Sequence, residues 1–200
     1  MVRPTDADFA EQYFLHDIGR PYGRDDYWIG EATRRAERIV STIGPRRVFD
    51  AGCAMGLLVE ALRERGVDAS GCDISSYALA RVAPAVKDYC RHASVSEELS
   101  GRYDLIVCVE VLPHVMPDEA DATIANFCRH TDDVLFSSMP VVNPWPRHVN
   151  LHPATYYEGV FARHGFFRDS DYDVGFISPW AVRYRRTPRR WWERLGRSKR

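Results

Sequence analysis

From residue 25 onward the chain alternates short apolar, β-branched runs with amphipathic stretches of helical period. That alternation constrains the fold more than any other feature. Strands that alternate with helices build a mainly parallel sheet with helices on both faces. "DDYWIGEATRRAERIVSTIG" sets Trp28, Ala32, Ala36, Ile39 and Val40 on one helical face and stops at Gly44–Pro45. "RRVFDAG" predicts a first strand, "GLLVEALRERG" a helix ended by Gly66, and "VDASGCD" a second strand ending in Asp73. "SSYALARVA" begins another helix, "DYCRHA" is a weaker strand, and "YDLIVCVEV" is a strong, buried one. "PDEADATIANFCRH" reads as a helix with Pro117 near its first position and acids in its first turn. "DDVLFSS" is a further strand, "PATYYEGVFARHG" a helix closed by Gly165, and "FFRDSDYDVGFISPWAVRYRR" a terminal hairpin. The pattern predicts one α/β domain over residues 1–186, with an N-terminal cap and helix at 1–44 and a basic tail at 187–200.

Charge narrows the partners. Residues 181–200 hold nine Arg or Lys against one acid, so this end carries +8 and the preceding 180 residues −9. The body has no excess of positive charge for a nucleic acid. The tail, with Trp191, Trp192 and Leu195 among its arginines, fits an anionic membrane surface or a partner enzyme. No apolar run approaches the ~20 residues of a membrane span. The first twenty residues lack the order of a signal peptide. Cys53, Cys72, Cys90, Cys108 and Cys128 form no CxxC pair and read as reduced thiols, so a cytoplasmic protein is expected. Oligomeric state is not legible.

In a sheet of this kind ligands bind beyond the carboxyl ends of the strands, where strand order reverses. There the first strand runs into "VFDAGCAMG". Gly52 can take a tight turn and Gly56 lets the next helix pack close. The spacing departs from the dinucleotide pattern GxGxxG. Asp50 would repel a pyrophosphate but can orient a cation. Asp73, twenty-one residues beyond Gly52, ends the second strand, where an acid can accept both ribose hydroxyls. An adenosine that carries positive charge instead of phosphates satisfies all of these features.

"VFDAGCAMGLLVEALRERG", "GCDIS" and "YDLIVCVEVLPHV", in that order, resemble the successive motifs of class I S-adenosylmethionine-dependent methyltransferases. The resemblance covers about residues 20 to 185 and implies a Rossmann-like, seven-stranded sheet. It implies S-adenosylmethionine as cofactor, with Asp50, Gly52 and Cys53 along the methionine part, Gly56 also in the cofactor turn and Asp73 on the ribose. Ile74 would pack on adenine, Ala93 and Ser94 would edge it, and Glu110 would end the fourth strand beside the sulfonium. "GRPYGR" resembles the segment that caps the cofactor, with Tyr22 and Arg24 as candidates. Ala54 stands where the family usually has another glycine, and Pro113 where such sequences commonly have an acid.

"MPVVNPWPRHVNLHP" follows the fifth strand on the same rim. Its prolines constrain it, and constrained loops on a rigid scaffold carry binding and catalysis. Transfer to a hydroxyl benefits from a base. His148 is the first candidate and His114, four residues past Glu110, the second. Glu110, His114 and His148 would be the ligands if a Mg²⁺ ion takes part. "RHVNLHPATYYEGVFARHGFF" and "FISPWAVRYRR" resemble small actinobacterial sugar O-methyltransferases that work with glycosyltransferases. This implies a small saccharide or glycoside acceptor in polysaccharide or glycolipid synthesis, as in mannoside methylation. Trp145, Asn150 and Tyr156 would meet it, and the tail would meet the glycosyltransferase. Methylation of an amine, carboxylate or phosphate, or a non-catalytic role beside a glycosyltransferase, stays open.

Overall fold

The computed structural model describes residues 2–140 and 147–187. Trp145 and the tail residues Trp191, Trp192 and Leu195 lie outside them. Seven strands form one sheet: β1 (Arg47–Ala51), β2 (Asp68–Asp73), β3 (Cys90–His92), β4 (Leu105–Val109), β5 (Asp133–Ser137), β6 (Phe166–Arg168) and β7 (Val182–Arg186). Their order is β3-β2-β1-β4-β5-β7-β6. The first five strands are parallel, and β7 runs antiparallel between β5 and β6 as the terminal hairpin required.

The central strands are buried on both faces, and their side chains divide by the two-residue period. From β4, Leu105 and Val107 point into one core with Ala36, Ile39, Val48, Leu62 and Leu135. Ile106 and Cys108 point into the other with Ile124, Phe127, Phe136, Phe161 and Tyr184. The first core is covered by α1 (Asp26–Thr42) and α2 (Leu57–Arg63), the second by α4 (Pro117–His130) and α5 (Ala154–Arg163).

The helix expected at "SSYALARVA" is a single turn, α3 (Ser76–Leu79), capped by Ser75 accepting from Ala78 N at 3.0 Å. Pro84 sits at the start of the 3₁₀ turn Pro84–Tyr89, where the residue before a proline disfavours helix. The N-terminal residues, expected as a cap, cross the rim through a 3₁₀ turn at Asp6–Phe9 and a π-helical turn at Tyr13–Asp17. Ser75 Oγ donates to Phe9 O at 2.6 Å and Ser76 N to Asp6 Oδ1 at 2.8 Å, which ties that cap to α3. Cys53, Cys72, Cys108 and Cys128 are buried free thiols and Cys90 is a half-buried one. Among the described residues no helix is long and apolar enough to cross a membrane.

Gly71 lies where β1 and β2 come closest to the turn that follows β1. A Cβ there would stand 2.7 Å from both Asp50 O and Cys53 Cβ. Gly71→Ala should therefore destabilise the chain by about 1–3 kcal/mol, as overpacking against backbone does. Urea unfolding midpoints compare the two proteins, and an unchanged midpoint would show that the sheet yields freely there.

Candidate active site

The C-terminal ends of β1, β2, β4 and β5 share one rim, and a cavity of about 550 Å³ opens there under the N-terminal cap. Its floor is the turn after β1. Gly52 has φ +84° and its N–H donates to Cys72 O at 2.9 Å. A Cβ on Gly52 would fall inside Val111 Cγ2, so only glycine fits between this turn and the end of β4. Ala54 adopts a left-handed φ of +47°, which an L-residue with a Cβ takes at some cost. Its N–H donates to Asp73 Oδ2 at 2.7 Å, and that bond offsets the strain.

Asp50 and Asp73 both face this cavity. Asp73 Oδ1 also accepts from Ser75 N at 2.8 Å, so two backbone donors hold the carboxylate in a fixed plane. Each oxygen keeps a lone pair for a further donor, which suits the two hydroxyls of a ribose. Burial pushes the Asp73 carboxyl up from its ordinary range, against those hydrogen bonds. Burial pushes Asp50 further, to about 7, with the Asp73 charge adding to the effect and Arg35 opposing it. A buried acid in this state is relieved by a cationic ligand.

The sequence reading missed Arg35. It lines the same cavity, its Nη2 donates to Ile177 O at 3.1 Å, and its buried Nε has no hydrogen-bond partner. Asp50 and Arg35 together present an acid and a guanidinium, the complement of an α-amino acid's ammonium and carboxylate. A signal existed. Arg35 is three residues past Ala32 and four before Ile39, so it interrupts the apolar stripe of α1 with a charge. Tyr22, Cys53, Ile74, Ser94 and Glu110 also reach the cavity wall. The residues present thus fit an adenosine with a cationic amino-acid arm.

Among the described residues, six of those nominated are not in that wall. Arg24 turns outward to Glu60 at 2.6 Å. Gly56 caps α2 with φ +71°, and a Cβ on it would press Cys90 Sγ at 3.0 Å, so its role is helix packing. Ala93 is buried beside the wall, its N–H on Asp73 O at 3.0 Å. Asn150 is buried and pins the loop: its Nδ2 donates to Leu112 O at 3.0 Å and its O accepts from Tyr157 at 3.3 Å. Tyr156 donates to Asp121 at 2.9 Å and stacks on His152 at 3.7 Å. His148 packs its ring 4.9 Å from that of His114, which does line the cavity. Burial lowers the His148 pKa, and Glu110 partly restores it.

Glu110, in a left-handed conformation at φ +57°, accepts from Met139 N at 2.9 Å, Trp180 Nε1 at 2.7 Å and the Ser137 hydroxyl. Its oxygens are occupied in clamping β5 and the segment before β7. The expected metal set of Glu110, His114 and His148 does not form, because among the described residues no group of three or more His, Cys, Asp or Glu converges on one point.

His114 does reach the cavity, from a 3₁₀ turn (Leu112–His114) that follows β4. Its Nδ1 lies 3.0 Å from Arg147 O and its Nε2 3.1 Å from the Tyr13 hydroxyl. A carbonyl oxygen can only accept, so Nδ1 carries the proton and Nε2 offers a lone pair. Burial lowers the pKa of His114 to about 4, so the ring is neutral well below neutral pH.

A family model described as a methyltransferase domain matches residues 26–168. The chain is 37% identical over 90 residues to the ubiquinone biosynthesis O-methyltransferase of Bordetella avium (strain 197N), a stretch that covers 41% of this chain and 37% of that protein. The chain spans about two-fifths of the length of the curated relatives it matches. In fold it is similar to the magnesium protoporphyrin IX methyltransferase of Synechocystis PCC 6803 with bound S-adenosylmethionine. That likeness has a TM-score of 0.66 at 17% identity, over 93% of this chain and 99% of that one. It is also similar to CalS10, an amino pentose methyltransferase from Micromonospora echinaspora, with TM-score 0.64 at 16% identity, over 82% of this chain and 94% of that one.

Two outcomes follow for an adenosine ligand with a cationic arm, and S-adenosylhomocysteine serves as the probe. Asp73→Ala should weaken its binding by about 1.5–3 kcal/mol, the loss of a charge-assisted hydrogen bond, and calorimetry reads it directly. Binding should also be proton-linked. Asp50 is half protonated near pH 7 in the free protein and must ionise beside an ammonium, so affinity should rise as pH rises through about 7. Titrations in buffers of different ionisation enthalpy should show a proton released at pH 6.5 and none in Asp50→Asn.

Proposed function

Because the chain belongs to the methyltransferase-domain family, we propose that it is an S-adenosylmethionine-dependent O-methyltransferase of a small hydroxylated acceptor, with a sugar hydroxyl as the preferred target. One observation carries this reading: a single cavity holds both the acid-lined glycine turn and the unprotonated Nε2 of His114. Asp73 would hold the ribose, and Asp50 with Arg35 would hold the amino-acid arm. When bound, the cofactor supplies a methyl group already activated by a positive sulfur. What the protein must add is position and a place for the acceptor's proton.

His114 is suited to that second task. A hydroxyl oxygen becomes acidic only as it bonds to carbon, so a weak base suffices, provided that it is unprotonated beforehand. A buried imidazole whose Nδ1–H is fixed on a carbonyl meets that condition. This reading moves the base from His148, the first choice of the sequence, to His114, the second. The sugar preference rests on the sequence resemblance and agrees with the amino pentose acceptor named for CalS10. A phenolic hydroxyl is the second reading. It is favoured by the ring-lined wall of Phe9, Tyr13 and Phe14 and by the ubiquinone-pathway relatives. A mass-spectrometric screen of glycosides against catechols separates the two.

His114→Ala should lower kcat by ~10²–10⁴ while leaving S-adenosylhomocysteine affinity intact. His148→Ala should cost far less, and the reverse ranking would return the base to His148. At saturating donor the activity should persist down to about pH 4, being lost only as His114 protonates. An acid limb centred near 6.5 would instead identify an unperturbed histidine.

A further inference from the structure

Tyr13 lines the same cavity as His114 and meets it there. Its hydroxyl is 3.1 Å from His114 Nε2, both residues line the cavity, and Nδ1 is already committed to Arg147 O at 3.0 Å. The Tyr13 hydroxyl is therefore the donor in their hydrogen bond, and it occupies the one lone pair that a base could use. An acceptor oxygen entering from the cavity cannot bond the same lone pair at the same time. It can bond the Tyr13 oxygen, which retains its own acceptor capacity. Building on the reading of His114 as base, we infer that Tyr13 is a catalytic residue that relays the acceptor's proton to His114.

The step balances. The acceptor oxygen forms a bond to the methyl carbon as the methyl–sulfur bond breaks and its electron pair returns to sulfur. The acceptor's proton passes to the Tyr13 oxygen, and Tyr13's own proton passes to His114 Nε2. The products are the methyl ether, neutral S-adenosylhomocysteine, tyrosine unchanged and a His114 imidazolium that releases its proton to solvent. Burial, and after it the Asp73 charge, raises the Tyr13 pKa, so the hydroxyl keeps its proton until the transfer.

The surroundings hold the pair in place. Phe9 meets the Tyr13 ring edge-on at 5.1 Å and the His114 ring at 5.2 Å. Asp17, on the same π-helical turn as Tyr13, forms an ion pair with Arg147, the residue whose carbonyl sets the His114 tautomer. The Arg147 guanidinium also lies 5.7 Å from the Tyr13 ring centre. One ion pair thus links the element that carries the relay to the loop that orients the base. Charged groups around the pair are Asp17, Arg147, Asp73 and Glu110, with the His148 ring packed behind His114.

The test compares wild type, Tyr13→Phe and His114→Ala with saturating S-adenosylmethionine and either methyl α-D-mannoside or catechol as acceptor. Tyr13→Phe should keep its S-adenosylhomocysteine affinity within twofold and its unfolding midpoint, while kcat falls ~10²-fold. The wild-type rate in mixed light and heavy water should depend on two transferred protons, giving a curved proton inventory. A straight inventory in wild type, or full activity in Tyr13→Phe, overturns the relay while an inactive His114→Ala leaves the base in place. Full activity in His114→Ala overturns the base itself, and the relay with it. Inactivity of wild type toward every hydroxyl acceptor overturns O-methyl transfer as the reaction.

Discussion

The carboxylate of Asp73 joins three parts of the molecule at the rim. It sits at the end of β2, accepts from Ala54 in the turn after β1, and accepts from Ser75 at the start of α3. Ser75 in turn bonds Phe9, so the same point anchors the N-terminal cap. Burying a carboxylate is costly unless donors replace its water. Here the donors are backbone N–H groups that the turn would otherwise leave unpaired, so each satisfies the other. The bond from Ala54 to Asp73 offsets the cost of Ala54's left-handed conformation.

Glu110 does the corresponding work at the end of β4. Three donors, Ser137 at the end of β5, Met139 two residues on and Trp180 before β7, converge on one carboxylate in a strained backbone position. Strained, non-glycine residues at the end of a strand persist where the surroundings over-determine them, and they cluster at functional sites. Between Asp73 and Glu110 lies a short span of rim with Asp50 beneath it. Two of these acids have raised pKa values and one guanidinium, Arg35, stands opposite. The site is built negative at its floor and neutral at its edge. The floor suits a cationic ligand, and at the edge the His114 Nε2 lone pair meets the Tyr13 hydroxyl.

The floor and the edge are made differently. The floor comes from the sheet, where parallel pairing of β1 with β2 and β4 puts Asp50, Asp73 and Gly52 within one turn of each other. The edge comes from connections: the turn after β4, the loop that ends in Arg147 to Asn150, and the cap that carries Tyr13. Sheets of this kind accept many chemistries because these connections can change without altering the strands.

Local patterning by itself determined the sheet. Runs such as "LIVCV" and "VFDA" are short, β-branched or aromatic and bounded by turn signals, which marks them as central strands, and the glycines mark turns that β-carbons would block. The acids Asp50 and Asp73 were legible for the same reason, since strand ends in an alternating chain fall on one rim. Tertiary structure decided the rest. Arg35 is one charge in an otherwise ordinary helical stripe until Asp50 is seen opposite it. Asn150 and Tyr156 have the composition of binding residues, but their hydrogen bonds go to Leu112 and Asp121. His148 and His114 are equivalent as letters. Which of them meets the cavity depends on a loop packing against a turn thirty-odd residues earlier and on a tyrosine 101 residues before His114. Periodicity encodes which face a side chain takes within its own element. It carries no information on which distant hydroxyl will fill a lone pair, because that is set by contacts that form only once the chain has folded.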